Sequence, residues 1–169
     1  MNNSEQSLLT ELVKEAGRIM EDTEHSAKAH FEAARIWENV NLALGIPATI
    51  IAAVSGILAI SELTALAAMT TIIVAILSGL LTFLNPSDRA SKNLKAGNTY
   101  NAVRNDARIF ANIKCKNYNS TDELEKQLDD LNSRRNTLND DSPQISNWAY
   151  KKSKAAIAIG ETLYKVDEQ

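Results

Sequence analysis

The chain has 169 residues, of which 18 are Lys or Arg and 21 Asp or Glu, for a net charge of -3. That balance excludes a nucleic-acid binder built on a concentrated basic face. The lone cysteine, Cys115, excludes an internal disulfide framework and a cysteine metal site, and it suits a reducing compartment.

The start of the chain, residues 1–6, is polar and lacks the basic opening and apolar run of a cleavable signal peptide, so the first long apolar segment is expected to direct membrane insertion. Residues 4–40 predict one amphipathic helix. Ser4 is its expected N-cap; Leu8, Leu9, Leu12, Val13, Ala16, Ile19 and Met20 recur at helical spacing, and the stripe resumes at Ala29, Ala33, Ile36, Trp37 and Val40. His25 and His30 fall on different sides of such a helix and form no zinc pair; they are expected to be surface or packing side chains. Trp37 has two readings, an indole at headgroup level or a core residue.

Residues 41–84 dominate the chain. Between Glu38 and Asp88 the only ionisable side chain is Glu62, in the polar break Ser61-Glu62-Leu63-Thr64. As helices, residues 43–60 span ~27 Å and residues 65–84 span ~30 Å, each matching the hydrocarbon core of a bilayer. Two transmembrane helices in a tight hairpin are therefore expected, the first opening at Gly45-Ile46-Pro47. The competing reading, a buried helical pair inside a soluble bundle, requires a polar stripe toward solvent, and neither segment has one.

Two lines of small residues stand out. Gly45, Thr49, Ala52 and Gly56 form a small-residue face on the first segment, with Ala48 and Ser55 beside them. On the second, Ala68, Thr71, Ala75, Ser78 and Thr82 step by threes and fours, and Asn85 continues the step. This strip reads either as a packing seam within the hairpin or as the lining of a pore in an oligomer, and one helix can serve both. Basic residues set the orientation: Lys28 and Arg35 precede the hairpin, Arg89, Lys92 and Lys95 follow it, and the turn carries none. Both termini are thus expected in the cytoplasm, with Glu62 facing out.

After the hairpin, Asn85-Pro86-Ser87-Asp88 predicts a helix start with Asn85 as the cap and Pro86 at the first position, running to about Lys116. Leu94, Gly97, Asn101, Arg104, Arg108 and Ala111 make one line along it, with Tyr100, Val103, Ala107 and Phe110 beside. Arg104 and Arg108 would bind phosphates or meet acids of the first helix, among them Glu15, Glu21, Asp22 and Glu32. Ser120 and Glu123 form an expected capping box for a helix over 121–138, whose Leu124, Leu128, Leu131 and Leu138 make a narrow seam. Ser142 and Pro143 are expected to start a last helix with the apolar line Ile145, Trp148, Ala155, Ile159 and Val166. Residues 86–169 thus read as cytoplasmic helices that bundle with 4–40, and 1–169 as a single all-α domain.

At this point the residues resemble a known family, the SLATT domains (SMODS and SLOG-associating two-transmembrane effector domains). The likeness lies in IWENVNLALGIPATIIAAVSG (36–56) and LTFLNPSDRASKNLKAGNTYNAVRNDARIF (81–110), with a weaker echo in KSKAAIAIGETLYKVD (152–167). Its motif positions are Asn85, Pro86, Arg89, Gly97, Tyr100, Arg104, Asn105 and Arg108; Asp88 stands where Glu is expected and Asn93 where histidine is common. The resemblance implies a membrane effector of a bacterial anti-phage system in the inner membrane, acting by abortive infection. It would form a homo-oligomer in the lipid bilayer that makes a pore or disrupts the membrane. With no fused sensor, the trigger would come from assembly or from a separate nucleotide-signalling or sensor protein. The alternative is a non-conducting membrane anchor that recruits a partner. No enzyme is expected, and no catalytic residue, metal or cofactor: the chain has no nucleophile with a base and no phosphate-cradling glycine loop. The adjacent acids Asp129-Asp130 and Asp140-Asp141 take no role.

Overall fold

A computed structural model describes residues 3–158, and every regular element among them is helical. The order is α1 (Asn3–Ile60), α2 (Thr64–Leu84), α3 (Pro86–Asn112), a 3-10 turn (Lys114–Lys116), α4 (Thr121–Asp141) and α5 (Asn147–Ala158). The chain divides into two units, one of residues up to 33 and from 92 onward, the other of residues 34–91.

The first unit is held by a core from three helices. Leu12, Ala16 and Ile19 of α1 meet Val103, Ala107 and Phe110 of α3 and Leu124 and Leu131 of α4. Each large side chain here, such as Phe110 at 1 % exposure or Leu124 at 2 %, contributes about 1.5–3 kcal/mol by leaving water. Leu8, Leu9, Met20, Leu128 and Leu138 flank this core, so the leucine seam of α4 packs as its spacing predicts. Cys115 is buried in the same core, and burial pushes its thiol pKa up, which disfavours the reactive thiolate.

On α3 the buried face takes in Tyr100, Val103, Ala107 and Phe110, beside the line of Leu94, Arg104 and Arg108. Asn93, Ala96, Gly97, Tyr100, Val103, Ala107, Phe110 and Ala111 are buried, and Leu94 is half exposed. This face covers the rings of Tyr100 and Phe110, which carry more apolar area than the leucine. Val13, expected in the α1 stripe, is likewise exposed.

In the second unit, residues 34–60 of α1 and all of α2 are joined by a turn at residues 61–63. Pro47 lies inside α1, so the break expected between residues 40 and 43 is absent. Proline deprives the Ala43 carbonyl of its usual donor, yet α1 runs on through it to Ile60. The turn itself is a Schellman motif. The Leu63 N–H donates to the Leu58 carbonyl at 3.1 Å and Glu62 takes the left-handed conformation at φ 63°. Glycine is the usual residue there; a side chain costs roughly 1 kcal/mol in that conformation.

Several ends are built differently from the sequence expectation. Asn85 is no side-chain cap: its backbone is left-handed (φ 43°), its N–H closes α2 on the Leu81 carbonyl and its own carbonyl accepts from the Arg89 N–H. Asparagine tolerates this conformation better than most residues, so one residue serves both helices. Pro86 does stand at the first position of α3. Ser4 lies within α1 rather than capping it. Ser120 sits at the α4 N-cap, but its side chain makes no cap bond, so the expected capping box is absent. For α5 the cap is Ser146, whose Oγ accepts from the Ala149 N–H at 3.3 Å, and not Ser142. That shift moves the buried face to Ala149 and Ser153 and leaves Trp148 57 % exposed. Ile159 and Val166 lie outside the described residues.

Candidate functional site

The second unit offers a surface instead of a cleft with catalytic groups. Both apolar segments are long and apolar enough to cross a membrane, and only 11 % and 6 % of their most apolar windows are buried. The core helix of a soluble bundle would be mostly covered. Here Ile50, Ile57, Met69, Ile72 and Ile76 are all more than half exposed.

The two segments share one packing line. On α1, Leu44, Ala48, Ile51, Ser55 and Leu58 are covered or half covered; on α2 the line is Ala67, Thr70, Val74, Leu77 and Leu81. Steps of three and four make both heptad seams. A shallow cleft of about 320 Å³ remains beside them, lined by Ala52, Ser55, Gly56, Ala59, Thr71 and Val74 among others.

This seam lies one residue round from both lines read in the sequence. Thr49, Ala52 and Gly56 are exposed and Gly45 is half exposed, and a Cβ on Gly45 or Gly56 would meet nothing within 4 Å. Ala68, Thr71, Ala75, Ser78, Thr82 and Asn85 are all exposed. The strip on α2 is therefore not the packing line between the two segments, which corrects that reading. Two of its hydroxyls bond within their own helix, Thr71 donating to the Ala67 carbonyl at 2.8 Å and Thr82 to the Ser78 carbonyl at 2.9 Å.

Where the apolar segments end, the Arg89 guanidinium lies over the Trp37 ring, 4.7 Å from its centroid. A cation over an indole is attractive at this range, and the pair ties the start of α3 to α1. Pro86 is fully buried nearby in sequence.

In the first unit the remaining motif residues hold α3 against α1. Gly97 is there for want of a side chain: a Cβ would meet the Phe31 ring at 2.7 Å and the Ala27 carbonyl at 3.2 Å. Tyr100 stacks on His30, centroids 5.5 Å apart, and its hydroxyl donates to Asn139 Oδ1 at 2.9 Å. Arg104 Nε faces Glu24 Oε2 at 3.4 Å, with both side chains largely covered. Arg104 thus meets an acid of the first helix, Glu24; Asp22 meets Arg135, and Glu32 meets Lys152 at 3.1 Å. Asn105 and Arg108 are half-buried on the same helix.

His30 is a packing side chain, one of the two readings that the sequence left open. It is 1 % exposed, and its Nδ1 lies 2.9 Å from Asn93 Oδ1. Burial lowers its pKa below the usual value, opposed in part by the bond to Asn93. Tyr100 is shifted the other way, up, also by burial, with hydrogen bonding to Ser142 in opposition. The clue was available in the spacing: His30 follows Ala16, Ile19, Thr23 and Ala27 on the covered face of α1.

Among the described residues, no three His, Cys, Asp or Glu side chains are grouped to hold a metal ion. The open groove between α3 and α4, about 440 Å³, has Ile109, Phe110 and Leu131 on its floor and is bridged by the Arg134–Asp106 ion pair at 2.8 Å. No serine, cysteine or histidine lines it. No protein-family model matches the chain, and no curated protein or solved structure matches it either.

Proposed function

We propose that the protein is a membrane effector of a bacterial conflict system, whose two apolar segments cross the inner membrane as a hairpin with both termini in the cytoplasm. On a trigger it assembles into a homo-oligomer that opens a conduit or breaks the bilayer, arresting an infected cell. The observation that carries this reading is the α2 strip, Ala68 to Thr82, which its own chain leaves uncovered on an otherwise bulky apolar helix. A helix that only anchors a chain in lipid has no use for a regular line of small and hydroxyl residues; one that lines water or packs against another copy does. The resemblance to SLATT domains points the same way, as does the charge-free length of each segment.

The flanking helices supply the control. Contacts such as Arg104–Glu24 and Tyr100–His30 hold α3 on α1; a sensor protein or assembly that weakens them selects a second arrangement. A gap of a few kcal/mol between two states is enough for such switching.

Expression of Ala75→Leu or Ser78→Leu should abolish membrane depolarisation while insertion survives, because leucine fills the strip without adding charge. Ile76→Leu, off the strip, should depolarise as the parent does. Dye-loaded liposomes test the alternative: a non-conducting anchor leaves them sealed under every condition, and that result would sink the conduit.

A further inference from the structure

We infer that the exposed face of α5 docks on anionic lipid headgroups, with Lys151 meeting their charge and the rings of Trp148 and Tyr150 settling at headgroup level. The inference rests on the reading above that the two apolar segments lie in a bilayer; it needs no conduit and no second copy of the chain.

The covered side of α5 is narrow. Among its described side chains Ala149 and Ser153, one turn apart, are the buried ones, both at 0 % exposure. Lys151 lies ~180° round the helix from the midpoint of that pair, with Trp148 and Tyr150 to either side. The two rings are 57 % and 52 % exposed, and Lys151 is exposed between them. Neither the Trp148 indole N–H nor the Tyr150 hydroxyl bonds to a described residue, and Lys151 makes no ion pair to one. The indole is nevertheless held in place. Lys152 Nζ lies 5.1 Å from its centroid and 3.1 Å from Glu32 Oε2, so an acid of α1 fixes the cation against which the ring rests. Two large rings are thus presented outward by a helix whose buried residues are an alanine and a serine.

Charge then selects the partner. Between Asp141 and Glu161 the sequence carries three lysines, Lys151, Lys152 and Lys154, and no acid, in a chain whose net charge is -3. A surface of concentrated negative charge is the complement. Among such surfaces the rings favour lipid, because Trp and Tyr gather at membrane interfaces, where the ring meets the acyl boundary and its N–H or O–H meets headgroups. Lysine, by contrast, is depleted from protein–protein interfaces. A chain whose own segments lie in the bilayer also meets that surface at high effective concentration, so a few such contacts suffice.

The test uses the full-length chain reconstituted in vesicles of phosphatidylcholine alone or mixed with phosphatidylglycerol, with the same lipids in both leaflets so that either orientation reports. Emission of Trp148 is taken as the difference between the parent and Trp148→Phe, which share Trp37. With phosphatidylglycerol it should shift to the blue and lose access to acrylamide, a neutral quencher, and high salt should reverse both changes. Lys151→Gln should lower the docked-to-undocked ratio about fivefold, the contribution of one lysine near an anionic surface, and Lys151→Arg should retain it. A merely structural role for Lys151 would respond alike in both lipids. The same emission and quenching in both overturn the inference and leave the membrane reading standing. So does a shift produced by added poly-glutamate and not by phosphatidylglycerol, which would assign the face to an acidic polypeptide. If an alkaline wash strips the chain from both kinds of vesicle, the inference and the membrane reading are overturned together.

Discussion

Helices α2 and α3 follow one another with only Asn85 between them, 21 and 27 residues long, and they solve opposite problems. Along α3 the buried face is filled: Tyr100, Val103, Ala107 and Phe110 are at most 3 % exposed. Along α2 only Ala67 is buried, and Phe83 at the far end is 90 % exposed. The first is a helix stabilised by removing its large side chains from water into protein. The second is almost wholly apolar and covers almost none of itself, so the matching solvent for it is lipid. Glycines make the same contrast: Gly97 is pressed against Phe31, whereas Gly45, Gly56 and Gly79 face open space.

The contrast is testable by deletion of side chains. Phe110→Ala should lower the stability of the first unit by about 3–5 kcal/mol in denaturant titrations in detergent, since the vacated volume lies among residues of three helices. Ile72→Ala, 61 % exposed, should cost under about 1 kcal/mol in the same titration. Equal losses would mean that α2 is buried as deeply as α3.

Glycine replacement gives a smaller effect of opposite signs. Gly97→Ala should destabilise by about 1–3 kcal/mol, because the Phe31 ring must move and the Ala27 carbonyl cannot readily follow. Gly79→Ala, with nothing within 4 Å of the added carbon, should be neutral or gain up to about 1 kcal/mol from helix propensity. Melting temperatures of the two variants in one detergent decide this.

The smallest effect is a pH dependence confined to the first unit. His30 has a lowered pKa in the folded protein, so the unfolded chain binds the extra proton first as the pH falls. The contribution of His30 is therefore fully present above its unfolded pKa of about 6.5 and is lost as the pH drops toward the lower folded value. Chemical denaturation followed from pH 7.5 to 5 should show a falling midpoint for the parent and a flatter one for His30→Gln; parallel curves would show that the buried imidazole is not the source.

Much of this was legible in the residues. The two apolar segments, the helix start at Pro86 and the leucine seam of α4 follow from hydropathy and spacing, which are local properties. The helix-packing role of Gly97 and Tyr100 was not, because the partners Phe31 and His30 are more than 60 residues away in the chain. Nor could spacing choose between Ser142 and Ser146 as the α5 cap. Both hydroxyls are plausible acceptors, and only the fit of Ala149 and Ser153 into the first unit selects one.

Composition and periodicity alone determined that the chain is helical, that its middle is charge-free over two bilayer-length segments, and that one glutamate interrupts them. Tertiary structure decided the rotation of each helix: which of two adjacent lines on α2 meets α1, which ring on α3 is covered, and which acid faces Arg104. Periodicity marks a face only to within about one residue's turn, ~100° of arc. Packing resolves that ambiguity, because side chains of defined volume interlock in one rotation and clash or leave voids in the next.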